Sequence, residues 1–284
     1  LRRVALSRTG QWIAGLNGAV IVSILIGALA QPQDQGYLGA LYRQVADVPA
    51  FDFGTSSISG DPALEMVLEA LINTAQAVLP AFVLANLIGI ALGALLSWRR
   101  TDIFVLPIFH AARAVPLFCA ALFALTLFAP AAETGEGADA ATAPKLGIYI
   151  DAPIVWVVAL ALAGAIALAL QSSARVALRE SYTDNVSRFG LPRGEVIRAY
   201  ALRHIFALAL TKGGDIVLAA SGAVVVAEWV FRWPGAGALF VRSVALQDWH
   251  VVALLVLILA GARFTAEFLG ASAAKTLMGA KPAP

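Results

Sequence analysis

The stretch RVALRESYTDNVSRFGLPRGE, from Arg175 to Glu195, continues through VIRAYALRH to His204 and forms a polar island between long apolar runs. Leu178, Tyr182, Asn185/Val186 and Phe189 recur every three or four residues, which places them on one stripe of a helix. Gly190 then supplies a helix stop, and Pro192, two residues on, enforces it. Val196, Ile197 and Tyr200 share one side of a second helix, with Arg193, Arg198 and Arg203 elsewhere on it. The expected local structure is a helix, a tight turn and a helix with a mixed apolar and basic surface. Two roles stay open on physical grounds. It is either an interfacial amphipathic hairpin that anchors the neighbouring spans or a docking element for a partner on its own side of the membrane.

The rest of the composition sets the membrane context. Of 284 residues, 60% are hydrophobic and 13% charged, against roughly 25% charged in soluble domains. Mean hydropathy is +0.81. The apolar runs are continuous, not alternating, so the fold class is all-α membrane protein and not a barrel. Cys119 is the single cysteine, so no internal disulfide forms. No cleavable leader is expected, because Trp12–Leu29 is long enough to span and no small-residue cleavage site clearly follows it.

About six segments reach the ~20 apolar residues that a spanning helix needs: Trp12–Leu29, Thr74–Trp98, a run within Ile103–Phe128, Ala152–Gln171, Ile205–Val230 and His250–Gly270. Basic residues gather at alternate ends. Arg2, Arg3 and Arg8 precede the first span, Arg99 and Arg100 follow the second, and Arg175, Arg179, Arg188, Arg193, Arg198 and Arg203 follow the fourth. Lys275 and Lys281 lie in the tail. The intervening segments are poor in cations: 31–73 has Arg43, 130–151 has Lys145, and 229–249 has Arg232 and Arg242. The positive-inside rule puts both termini in the cytoplasm, which agrees with an even number of spans. The chain reads as one transmembrane domain, 1–284, with a core at 70–272, an external loop at 31–73 and the polar cytoplasmic loop at 172–206. No internal repeat or second soluble domain is evident.

Several polar residues fall within or beside the spans. Lys212 and Asp215 are three apart and are expected to pair on one helix face. With Glu228 and Trp233 they are candidates for a translocation pathway or gate. Arg263 and Glu267, four apart, read as a structural pair. Gly89-Ile-Ala-Leu-Gly93 permits close helix contact, and Trp229 and Trp233 suit the membrane interface. His110, His204 and His250 are too dispersed to suggest a metal site. No phosphate-binding loop is present; in the nearest text, before Lys275-Thr276, Leu269 and Ala274 stand where that motif needs glycine. Gly213-Gly214-Asp215 prompts a comparison with intramembrane aspartic proteases, but that chemistry needs two adjacent carboxylates. An ion- or proton-coupled secondary transporter is a further alternative.

The polar island resembles the cytoplasmic loop of ABC importer permeases, the inner-membrane subunits of binding-protein-dependent systems. Their loop carries Glu-Ala-Ala, three residues, then Gly; Asp184-Asn185-Val186, three residues and Gly190 stand here. Leu178, Tyr182, Gly190-Leu191 and the run from Val196 to His204 are similar to the oligopeptide, dipeptide and nickel branch. So are Gly222 to Leu239, with Glu228-Trp229 and Trp233-Pro234-Gly235, and upstream Phe51 to Ser56 and Glu69 to Thr74. The resemblance implies a type I importer permease with no catalytic residues, metal or cofactor of its own, ATP and magnesium being held by partner subunits. The implied partners are a second homologous permease, two cytoplasmic ABC ATPases, a periplasmic or lipid-anchored substrate-binding protein and membrane lipids, without nucleic acid. It further implies that Tyr182, Asp184, Arg188, Phe189, Gly190, Leu191 and Arg198 couple the chain to the ATPases. The location would be a bacterial inner membrane and the cargo a peptide, nickel chelate, opine or sugar.

Overall fold

The computed structural model describes residues 13, 15, 17–26, 53–96, 107, 114–128, 152–177 and 202–278. Eight helices are described: α1 (Asn17–Ile26), α2 (Ala63–Leu96), α3 (Leu117–Phe128), α4 (Pro153–Ala177), α5 (Leu202–Leu210), α6 (Gly213–Phe231), α7 (Ala236–Ala245) and α8 (Trp249–Met278). Within the described residues, α2, α4, α6 and α8 are long and apolar enough to cross a membrane. The expected first and third spans fall partly outside the described residues and are represented by the shorter α1 and α3.

Helix α4 is the hub. Two thirds (67%) of its most apolar window is buried, against 22% for α2 and 28% each for α6 and α8. Lipid offers no hydrophobic drive for helices to associate, so close packing of small residues must supply it. Helix α2 presents such a stripe in Ala63, Ala70, Ala77, Ala81, Ala85, Gly89 and Gly93, all buried. A Cβ at Gly89 would lie 2.8 Å from the Ile166 Cβ and 2.9 Å from the Ala163 carbonyl oxygen; at Gly93 it would lie 2.9 Å from the Leu170 Cβ. The Gly-x3-Gly pattern is thus the α2–α4 contact, and the ascending pairs show that the two helices run parallel. The Gln171 Nε2 closes the seam by donating to the Leu96 carbonyl at 3.4 Å.

The fifth span is not the continuous helix expected at Ile205–Val230. It breaks at Thr211-Lys212 into α5 and α6. Two consecutive glycines, Gly213 and Gly214, begin α6 and carry the weakest helix propensity short of proline. They also let α8 approach: a Cβ at Gly213 would lie 3.0 Å from the Ala266 carbonyl oxygen, and one at Gly214 3.1 Å from the Glu267 Cβ. Across the same contact a Cβ on Gly270 would overlap the Leu210 carbonyl. Helices α5–α6 and α8 therefore run antiparallel. Helix α1 also lies along α8, with the Ser23 hydroxyl donating to the Ala253 carbonyl at 2.8 Å.

These pairings sort the helix ends. Leu96, Ala177, Leu202 and Met278 share one end, where Arg203 bonds to the Leu277 carbonyl. Ala63, Pro153, Phe231 and Trp249 share the other. Arg175, Arg203 and Lys275 fall at the first end, as the charge distribution required. Two local differences mark the opposite end. Residues 63–73 of the expected external loop are the first turns of α2, and 236–245 of the expected 229–249 loop form α7.

The α2–α4 seam makes a direct prediction. Gly89→Val and Gly93→Val should each destabilise the chain by about 1–3 kcal/mol through overpacking, read as a lower melting temperature in detergent. Gly222→Ala, where nothing lies within 4 Å of the added Cβ, should leave it unchanged.

Candidate functional site

Two polar joints stand out at the end shared by Ala63, Phe231 and Trp249, and each is built around a buried carboxylate. Helix α6 stops where Arg232 takes the left-handed conformation, φ 52. The Arg232 N–H and, at 2.9 Å, the Trp233 N–H both reach back to the Glu228 carbonyl, which joins the αL-motif bond to the longer closure of a Schellman ending. Pro234 cannot continue a helix. Gly235 then opens α7 with no side chain to cap it.

The missing cap comes from Glu228. Its carboxylate, 1% exposed, folds back under the turn. Oε2 accepts from the Gly237 and Ala238 N–H groups at 2.7 and 3.1 Å, satisfying donors that a helix start leaves open. Oε1 accepts from the Thr74 hydroxyl of α2 at 2.6 Å, and the Thr74 oxygen in turn accepts from the Ala236 N–H at 2.7 Å. An acid also suits the positive end of the α7 dipole. Asn73 and Trp233 add a reciprocal pair: the Asn73 Nδ2 donates to the Pro234 carbonyl at 3.0 Å, and the Trp233 Nε1 donates to the Asn73 carbonyl at 2.8 Å. A Cβ at Gly235 would overlap the Glu228 carboxylate, so the Trp-Pro-Gly turn needs glycine there for space.

Asp248 makes the second joint. It is 1% exposed and sits immediately before α8. Its Oδ2 accepts from the Ser56 hydroxyl at 2.5 Å and its Oδ1 from the Ser57 N–H at 3.3 Å. The Ser56 oxygen also accepts from the Ile58 and Ser59 N–H groups, so one buried hydroxyl organises the 56–61 turn. Gly54, at φ 76, packs so closely on the His250 ring that a Cβ would lie 2.6 Å from it. Glu228 and Asp248 together pin residues 54–74 to the C-terminal end of α6, the start of α7 and the start of α8. Two regions distant in sequence, 54–74 and 228–250, become one polar platform.

The pathway candidates separate accordingly. Glu228 and Trp233 belong to this platform, with both Glu228 oxygens engaged. Lys212 and Asp215 lie toward the opposite end and do not pair. Lys212 occupies the position before α6, not a turn within it, so the three-residue helical spacing does not apply. Its Nζ donates instead to the Ser172 Oγ of α4 at 2.5 Å. Asp215 falls in the first turn of α6, where the helix dipole favours an acid. Arg263 and Glu267 form no ion pair either; the Arg263 guanidinium lies 5.4 Å over the Phe264 ring. Among the described residues no three His, Cys, Asp or Glu side chains gather to hold a metal. The loop candidates Tyr182, Asp184, Arg188, Phe189, Gly190, Leu191 and Arg198 lie outside the described residues.

Reasoning from sequence alone did not find Asp248, Ser56 or Thr74 as members of a site. The available signal was an acid directly before an apolar span and a Gly-Thr-Ser-Ser run before another.

Residues 85–275 match the family model described as binding-protein-dependent transport system inner membrane component. A putative peptide transport system permease protein of Brucella suis is 27% identical over 214 residues, covering 71% of this chain and 66% of that protein. The metal-staphylopine import system permease protein CntB of Staphylococcus aureus is 26% identical over 213 residues, 74% of this chain and 67% of its own. The glutathione transport system permease protein GsiC of Salmonella paratyphi A is 26% identical over 244 residues, 83% and 75% respectively. The chain thus spans just under two thirds of the length of the Brucella protein.

The Glu228 joint makes a sharp prediction. Glu228→Ala would strand the Thr74 hydroxyl and two backbone N–H groups, each worth about 1–3 kcal/mol when left buried and unpaired. Glu228→Gln keeps one acceptor but turns an amide N–H₂ toward a donor. Both variants should melt lower in detergent than the native chain, with Ala the worse; an unchanged melting temperature would show that the cap carries no weight.

Proposed function

Because this chain belongs to the family of binding-protein-dependent transport system inner membrane components, we propose that it is the permease subunit of an ATP-driven importer and forms half of a pathway for peptides or a related small solute. The observation that carries the reading is the extent of the family match. Residues 85–275 take in α4, α6, all but the last three residues of α8, the end of α2 and the whole polar island between α4 and α5. The names of the relatives, which transport peptides, glutathione and metal–staphylopine, favour small multifunctional solutes.

In this reading both termini and the 172–206 loop face the cytoplasm, consistent with the cations at that end. Two separate ATPases dock beneath, and a second related permease completes the path. Asp184 and Gly190 carry the coupling role, with Tyr182, Phe189 and Leu191 as apolar contacts and Arg188 and Arg198 as partners for acids on the ATPases. The platform of 54–74 and α7 faces outward and offers a rigid landing surface for an external binding protein. The α5–α6 break, with Lys212 held to Ser172, sits toward the cytoplasmic end and forms the inner gate together with Asp215. ATP binding and hydrolysis then bias inward- and outward-facing arrangements through differential contacts.

A tagged chain co-expressed with the genes beside its own should purify with two ATPase subunits and a second permease. Gly190→Val and Asp184→Arg should leave that assembly intact but abolish substrate-stimulated uptake while ATP is still hydrolysed. Recovery of the chain without any ATPase would sink the reading, and normal uptake in both variants would remove the loop's coupling role.

A further inference from the structure

Arg263 and Glu267 stand one turn apart on α8, a 30-residue helix. Arg263 lies ~21 Å along the axis from Trp249, at ~1.5 Å per residue, which is well inside a hydrocarbon core about 30 Å thick. Helical side chains lean toward the helix N-terminus, so Arg263 leans toward Trp249 and deeper into the core, not toward the cytoplasmic headgroups. Charge at such depth is costly and marks function by default. Four-residue spacing would allow the two side chains to close on each other, yet they form no ion pair. The Arg263 Nε is buried with no hydrogen-bond partner among the described residues, its guanidinium rests over the Phe264 ring, and Glu267 is exposed. Both flank the place where Gly214 of α6 meets α8, a Cβ there lying 3.1 Å from the Glu267 Cβ and 3.3 Å from the Arg263 carbonyl oxygen. The glycine contact fixes the height at which the two charges stand.

We propose that Arg263 and Glu267 form a subsite for a zwitterionic solute in transit, its carboxylate on Arg263 and its ammonium on Glu267. The proposal rests on the permease reading and adds the chemical class of the cargo. An acid from a neighbouring subunit would satisfy Arg263 and leave Glu267 without a cation, whereas a guest carrying both signs satisfies both. The spacing also fits: four residues rise ~6 Å along the helix at ~1.5 Å each, close to the ~7 Å reach of a two-residue peptide at ~3.5 Å per residue. The aromatic face of Phe264 holds the guanidinium in place between guests.

The test uses the full complex in proteoliposomes. Arg263→Cys, in a Cys119→Ser background, is exposed to a membrane-impermeant, negatively charged thiosulfonate. Labelling is expected, and dialanine should slow it while N-acetyl-dialanine amide, which carries neither charge, does not. In parallel, Arg263→Lys should retain dialanine uptake and Arg263→Gln should lose it by about tenfold, the weight of one hydrogen bond to a charged group. Absence of labelling in every nucleotide state, equal protection by the capped peptide, or full dialanine uptake by Arg263→Gln would overturn the subsite. Failure of the permease reading shows itself earlier and separately, as a complex without ATPases.

Discussion

A carboxylate buried in an apolar protein must be fully hydrogen-bonded, and the fold at one end of this chain is arranged to meet that requirement. Glu228 ends an apolar helix, yet it is 1% exposed. Its two oxygens take up the Thr74 hydroxyl and the open N–H groups of α7. The geometry leaves little freedom. The chain must reverse after Phe231, which the left-handed Arg232 and Pro234 accomplish, and Gly235 must lack a Cβ so that the carboxylate can fit beneath it. Asp248 solves the same problem a second time with Ser56 and Ser57. Among the described residues, hydrogen-bond donors and not cations meet both acids, so the platform is short-ranged and directional. It specifies which segments meet.

The opposite end is built on another principle. There the helices approach through glycine and alanine, at Gly89 and Gly93 against α4 and at Gly213, Gly214 and Gly270 between α5–α6 and α8. Such contacts bring backbones close without locking side chains together. The described polar contact across α4 and α6 at that level is the Lys212–Ser172 bond, next to a break in the helix. The molecule thus joins an end cross-braced by two buried acids to an end where close-packed backbones surround a break in a helix.

Much of this was legible in the sequence, and the gaps have physical reasons. The apolar runs, the basic island and the Gly89-x3-Gly93 pattern announced a helical membrane protein and one of its helix contacts. They could not say that Gly89 meets Ile166, because the pattern specifies closeness and not the partner. Trp233-Pro234-Gly235 entered only through its resemblance, and Glu228 read as a pathway acid because its cap partner, Thr74, is far away along the chain. Lys212 and Asp215 were expected to pair because a single helix was assumed through 205–230; Gly213-Gly214 was the signal that Lys212 lies outside the turn that would have joined them. Asp248 was missed because an acid beside a span looks like an ordinary boundary residue until the turn it organises is seen.

The most direct measurement of the central claim is uptake by the reconstituted complex under controlled energy sources. With ATP enclosed on the cytoplasmic side, solute should accumulate at a rate that tracks hydrolysis and is indifferent to a protonophore. Accumulation driven by an imposed proton or sodium gradient through this chain alone, without ATPase subunits, would contradict the assignment and make it a secondary transporter.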